Sequence, residues 1–160
     1  SVTSIGNDAF HGCVVLGQQT LISVTSIGDN AFFGCVAITS VNMPNVNTIS
    51  NGAFRGCTSL STIVAGALTS VGDQAFYGCL LLNNVGSFEN LTDIGSMAFY
   101  NCTNIAQNLS NTISLPAIAN IGDSAFAGCT SIHRFELGNG LTKLGDQALN
   151  NQDLESILRC

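Results

Sequence analysis

Apolar residues along this chain fall into two short patterns that alternate. One has the form L-x-x-L-x-L, as in Ile38, Val41 and Met43; the other has the form V-x-x-I, as in Val46 and Ile49. The second runs into a block of the form I-G-x-x-A-F-x-G-C, clearest from Ile27 to Cys35. Alternation of Val41 and Met43 predicts a short strand with one face toward a core. Pro44 has no N–H to give and should end the pairing. Val46 and Ile49 should return the chain to the interior, and Gly28 should allow the corner that follows. Asp29-Asn30-Ala31-Phe32 predicts a single helical turn, with Asp29 and its equivalents Asp73, Asp123 and Asp146 as local caps. Phe10, Phe32, Phe54, Phe76, Phe99 and Phe126 are expected to stack as a buried spine. A left-handed backbone is expected at Gly12, Gly34, Gly56, Gly78 and Gly128, just before the cysteine.

The block appears seven times, starting at Ile5, Ile27, Ile49, Val71, Ile94, Ile121 and Leu144, at spacings of 22, 22, 22, 23, 27 and 23. A fixed period in this range is the mark of a solenoid, in which each coil touches only its neighbours. The expected organisation is one solenoid over 1–160, of about seven coils, with both terminal coils incomplete.

Breaks in the phase are informative. Gln19 stands where the next coil has Val41, so the first strand should be weak. Ser50 replaces the corner glycine, and Gly52 appears two residues later. Asn101 stands where other coils have the glycine before cysteine, a substitution that a left-handed backbone accepts. The largest break follows Ile105: the next inward position is Ile113, eight residues on, against three from Ile38 to Val41. About five residues within Ala106 to Asn111 should therefore bulge outward as a loop. Three N-x-[ST] sequons cluster nearby, at Asn90, Asn101 and Asn108, and Asn108 on the loop is the best placed.

Composition narrows the function classes. The chain is 46% hydrophobic but only 9% charged, so Asn, Ser, Thr, Gln and Gly must cover its surface. A net charge of −6 with four Lys plus Arg argues against nucleic-acid binding and against anionic membranes. No apolar run approaches the roughly 20 residues of a membrane span. Six of the seven cysteines (Cys13, Cys35, Cys57, Cys79, Cys102 and Cys129) hold one position in six copies, which predicts a ladder of buried free thiols. Pairing between adjacent coils is geometrically open. A four-cysteine metal site is disfavoured, because a ladder spreads its sulfurs along a line. His11 and His133 occupy different repeat positions and do not converge, and His11 shares its position with Phe33, Arg55 and Tyr77, a permissive exposed site. No nucleophile elbow, P-loop or HExxH motif occurs.

The I-G-x-x-A-F-x-G-C block, with the preceding L-x-x-V-x-L-P and V-x-x-I positions, resembles the BspA-like, or Treponema pallidum-type, leucine-rich repeat family over essentially the whole chain. The resemblance implies an α/β repeat solenoid: a right-handed leucine-rich-repeat stack with a parallel sheet on one face and short turns or single helical turns on the other. It implies an extracellular or cell-surface protein, often an adhesin for host or matrix proteins. It brings no catalytic residue and no cofactor.

Two surfaces are candidates for partners. Ser40, Asn42, Thr62, Val64, Asn84, Thr112, Ser114, Arg134 and Glu136 should face outward from the sheet, as a neutral hydrogen-bonding surface for a protein or glycan, or simply as solvated sheet. The ends are the second. Ser1 begins in the second half of a coil and Cys160 ends in the first half of one, so a following copy would continue the pattern from Leu154 and Ile157 into Val2, Ile5 and Phe10. Neither end has the polar character of a cap. A segment of a longer array, a protomer stacking head to tail into a fibril and a capped monomer all fit this pattern, and Cys160 would sit at the junction.

Overall fold

In the computed structural model, residues 1–106, 111–151 and 156–159 are described, the last four by backbone alone. The strands in chain order are β1 (Ser4–Ile5), β2 (Gln19–Thr20), β3 (Ser26–Ile27), β4 (Ser40–Met43), β5 (Thr48–Ile49), β6 (Thr62–Ala65), β7 (Ser70–Val71), β8 (Asp93–Ile94), β9 (Thr112–Leu115), β10 (Asn120–Ile121), β11 (Arg134–Leu137), β12 (Lys143–Leu144) and β13 (Ser156–Arg159). Every pairing among them is parallel and joins neighbouring coils, as in Val41 with Ile63 and Ile49 with Val71. The chain is a parallel β-solenoid.

The V-x-x-I pattern pairs as well as the L-x-x-L-x-L pattern, so two faces carry parallel strands rather than the single one expected. A wide face holds β2–β4–β6 and β9–β11–β13; a narrow face holds β1–β3 and β5–β7–β8–β10–β12. Gln19 pairs with Val41 but turns its amide back onto the Gly17 and Gln18 carbonyls, which accounts for the short first strand of the wide face.

The wide face is interrupted in its middle, where Thr62 and Asn84 form only an isolated bridge. The cause is one extra residue. Val41 and Met43 are two apart, whereas Val85 and Phe88 are three apart, and Gly86 between them takes a φ of 80°. Phe88 then fills the inward place of Met43. Each carbonyl accepts the N–H three residues on, from Leu91 and Val46 respectively, and both side chains are buried. The 107–110 part of the expected loop lies outside the described residues.

The expected helical turn is absent: among the described residues the elements are strands and turns. Asn30 lies at φ 53° and Gly34 at φ 69°, with equivalents in the other coils. These left-handed residues break the run of right-handed dihedrals that a helix needs. The N–H groups instead divide their work. Phe33 and Cys35 bond three residues back, while Asn30, Phe32 and Gly34 donate to Asn51, Ala53 and Arg55 of the next coil at 2.8–2.9 Å. The turn block is thus a third inter-coil ladder. Asp29 does not cap locally either; its Oδ1 accepts the Asn51 N–H one coil on, and Asn7, Asn51, Asp73 and Asp123 do the same. This ladder explains the corner glycine, which is needed for space: a Cβ on Gly28 would lie 2.4 Å from Asn7 Oδ1. Ser50, the exception, turns its hydroxyl onto the Ile27 carbonyl at 2.6 Å.

Inside, the phenylalanines stack coil on coil with centroids 5.1–5.5 Å apart and rings within 13° of parallel. From Phe32 to Phe126 they are fully buried, as are the Ile, Leu and Val residues of both strand patterns from Ile27 to Ile121.

Candidate binding surfaces

The outward row of the wide face is laid out by strand register. Ser40 aligns with Thr62, Asn42 with Val64, and Thr62 with Asn84. Beyond the interruption Arg134 aligns with Thr112 and Glu136 with Ser114. The row is therefore two patches rather than one surface. Ser40, Asn42, Thr62, Ser114 and Glu136 are half-buried, and Asn84 and Arg134 are exposed. Val64, 48% exposed, is the apolar point of the first patch. Thr112 departs from the expectation: at 5% exposure it is buried, at the start of β9. Two concavities of about 280 and 300 Å³ adjoin the interruption, lined by Asn84, Gly86 and Ile105, and by Phe88, Glu89 and Ser114.

Cys35, Cys57, Cys79, Cys102 and Cys129 are buried, and Cys13 is half-buried. Each buried thiol donates to a phenylalanine carbonyl of the preceding coil, from Cys35 on Phe10 to Cys129 on Phe99, at 2.9–3.1 Å. Burial, then in Cys57 the neighbouring thiol, pushes Cys57 from 9.0 up to about 12; burial takes Cys129 to the same value. Cys79 and Cys102 lie well above the ordinary value for the same reasons. Thiols in this state are inert rather than nucleophilic. Cys160 lies outside the described residues.

Of the sequons, Asn108 lies outside the described residues. Asn90 is exposed, and its Thr92 hydroxyl lies within hydrogen-bond distance of the Asp93 Oδ2 at 2.7 Å and the Thr69 carbonyl at 3.0 Å. With the Asn120 amide, Thr92 holds the Asp93 carboxyl below its ordinary value. Asn101 is exposed in a left-handed turn at φ 57°, and its Thr103 hydroxyl donates to the Leu80 carbonyl at 3.1 Å.

Among the end residues, Val2 is 68% exposed, Ile5 is buried and Phe10 is half-buried. An apolar hollow of about 260 Å³ opens there, lined by Ile5, Phe10, Leu21, Ile22 and Val24. Leu154 lies outside the described residues, and Ile157 is placed by its backbone, opposite Phe135.

A further row of side chains runs along the outside of the turn block. The position after the buried phenylalanine is not merely permissive; it carries a stack of flat groups on the outside of the turn block. His11 lies 4.6 Å from Phe33, the Arg55 guanidinium sits over Phe33 at 5.3 Å and Tyr77 at 5.1 Å, and Tyr77 stacks on Tyr100 at 4.9 Å. The signal was present, since five consecutive copies hold a planar group there. His11 Nδ1 also lies 3.2 Å from Asp8 Oδ1, both well exposed. Among the described residues no group of three or more His, Cys, Asp or Glu is placed to hold a metal, and no helix is long and apolar enough to cross a membrane.

Comparison with known proteins agrees with this architecture. A leucine-rich repeat protein of Bacteroides ovatus superposes with a TM-score of 0.74 at 22% identity, over 99% of this chain and 46% of that one. The T. pallidum leucine-rich repeat protein superposes with a TM-score of 0.73 at 32% identity, over 90% of this chain and 66% of that one. A leucine-rich cell surface protein of Faecalibacterium prausnitzii reaches 0.50 at 20% identity, over 98% of this chain and 58% of that one. The chain thus spans less than two thirds of each of these proteins. No curated protein sequence matches. The family model described as the BspA type leucine-rich repeat region matches residues 1–106 and 106–159, and with the coil geometry above it places this chain in the BspA-type leucine-rich repeat family.

Proposed function

We propose that this chain is a non-enzymatic binding scaffold working outside the cell or at its surface, where the wide sheet face docks a protein or glycan in adhesion. The observation that carries the reading is the in-register row Ser40–Thr62–Asn84 beside Asn42–Val64, a flat neutral surface held by a rigid coil stack. Such a row offers hydrogen bonds and one apolar point without the Trp, Tyr or Arg anchors of a tight interface, so affinity arises over several coils. The F. prausnitzii protein, described as a cell surface protein, supports the surface role by likeness of fold.

The test is adhesion of the purified chain to immobilised collagen, laminin and fibronectin and to fixed cells, read by surface plasmon resonance and plate binding. Asn42→Lys combined with Val64→Lys, both outward on adjacent strands, should weaken adhesion about tenfold or more without moving Tm. Unchanged adhesion in that variant overturns the sheet face as the docking surface.

A further inference from the structure

The outer stack on the turn block stops at Tyr100. One coil later Ala127 stands in the same place, and it is only 7% exposed. Where a tyrosine would have continued the stack, the chain leaves a hollow of about 390 Å³, within the size range of small-molecule sites. Tyr100 forms one wall, Ala127 lies on the floor, and Gln147 and Asn150 of the following coil close the far side, with Asn101 and Thr130 at the edges. We propose that this hollow binds a neutral saccharide, a site separate from the wide sheet face.

The chemistry selects that ligand class. A tyrosine ring presents an electron-rich face, which favours the C–H groups on the apolar face of a pyranose. Tyr100 is held for this contact, because Tyr77 stacks behind it with the rings 5° from parallel. Around the ring stand amides and a hydroxyl, groups that both donate and accept and so match vicinal sugar hydroxyls. Among the described residues no charged side chain lines the hollow, and the chain carries a net charge of −6, so an anionic sugar is disfavoured.

The floor is rigid. The Asn101 N–H donates to the Ala127 carbonyl at 2.9 Å, and the Gly128 N–H to the Asn150 carbonyl at 3.2 Å. Asn101 lies against Gly128, where a Cβ would fall 2.2 Å from its Oδ1. The absence of a side chain at Gly128 therefore sets where the Asn101 amide stands.

The test uses the full chain expressed in a bacterial host, so that no N-glycan on Asn101 fills the hollow. Methyl β-glucoside, methyl β-galactoside and N-acetylglucosamine are titrated in separate nitrogen-edited NMR experiments, with glucuronate as the anionic comparator. Saturable shifts of the Asn101, Gly128 and Asn150 amides with at least one neutral sugar, and weaker ones with glucuronate, are expected. Tyr100→Ala and Ala127→Tyr should each weaken binding about tenfold or more. Ala127→Tyr extends an existing stack and so keeps the fold, which a retained Tm will show. Absence of saturable shifts with all three neutral sugars overturns the proposal, as does unchanged binding in Ala127→Tyr. Shifts confined to Asn42 and Val64 overturn it too, while leaving the sheet-face reading intact.

Discussion

Phe76 and Tyr77 are neighbours in sequence, and each belongs to a stack that runs along the solenoid, yet the two stacks follow different rules. The inner one is phenylalanine in six coils, with nearly parallel rings. The outer one is His, Phe, Arg, Tyr and Tyr, and then stops at Ala127. Inside, a ring must fill a fixed volume in a close-packed core, and any other residue leaves a void or a clash. Outside, any flat group covers its neighbour, so chemistry varies without disturbing the coil. The repeat is strict where it builds and loose where it meets solvent, and the end of the outer stack at Ala127 leaves a hollow.

The difference can be broken by substitution. Phe76→Ala should destabilise the chain by about 3–5 kcal/mol through the cavity it leaves. Tyr77→Ala should cost about 1 kcal/mol, the worth of its stacking and cation contacts. Urea unfolding of the pair checks both; equal losses would mean that the outer stack is as structural as the inner.

The thiol ladder gives the next effect through pH. An unfolded thiol ionises near 9.0, whereas Cys57 stays protonated in the fold until about 12. Above 9.0 the unfolded state therefore binds fewer protons and gains. The thiol's contribution is complete below 9.0 and is lost as pH rises to about 12, at about 1.4 kcal/mol per pH unit. Cys57→Ala should make the decline of stability between pH 9 and 11 shallower by that one thiol's share. An unchanged slope would place Cys57 in contact with solvent.

Smaller effects sharpen the contrast. Arg55 lies between two rings and donates to Gln74 Oε1 at 2.6 Å, so Arg55→Ala should cost about 1 kcal/mol in urea unfolding. Met97 holds a left-handed φ of 54° where its sibling coil has Gly52. Met97→Gly should be neutral or stabilising by up to about 1 kcal/mol, visible as a slight rise in Tm.

Much of this architecture is legible in the sequence. Period, phenylalanine spine and the left-handed glycines all follow from side chains repeated at one position, which sequence displays directly. The narrow sheet and the turn-block ladder did not, because they are made by backbone N–H groups, and a pattern such as Val46-Asn47-Thr48-Ile49 does not say which coil its amides will bond. Asp29 was misread for a related reason: an Asx side chain near a turn looks the same whether it bonds within its own coil or across to the next. The break in the wide face turned on a single residue, Gly86, visible in the spacing of 23 but interpretable only once Phe88 was seen in the place of Met43. The outer stack was overlooked because His, Phe, Arg and Tyr share flatness rather than hydropathy.

Inner positions hold the solenoid together, and outward positions do the binding. The most direct measurement takes Tm and adhesion on the same samples of Phe76→Leu and of the Asn42→Lys, Val64→Lys double variant. Phe76→Leu should lower Tm and leave adhesion unchanged well below it, while the double variant should keep Tm and lose adhesion. Adhesion that follows Tm in both proteins, or survives in the double variant, would contradict this.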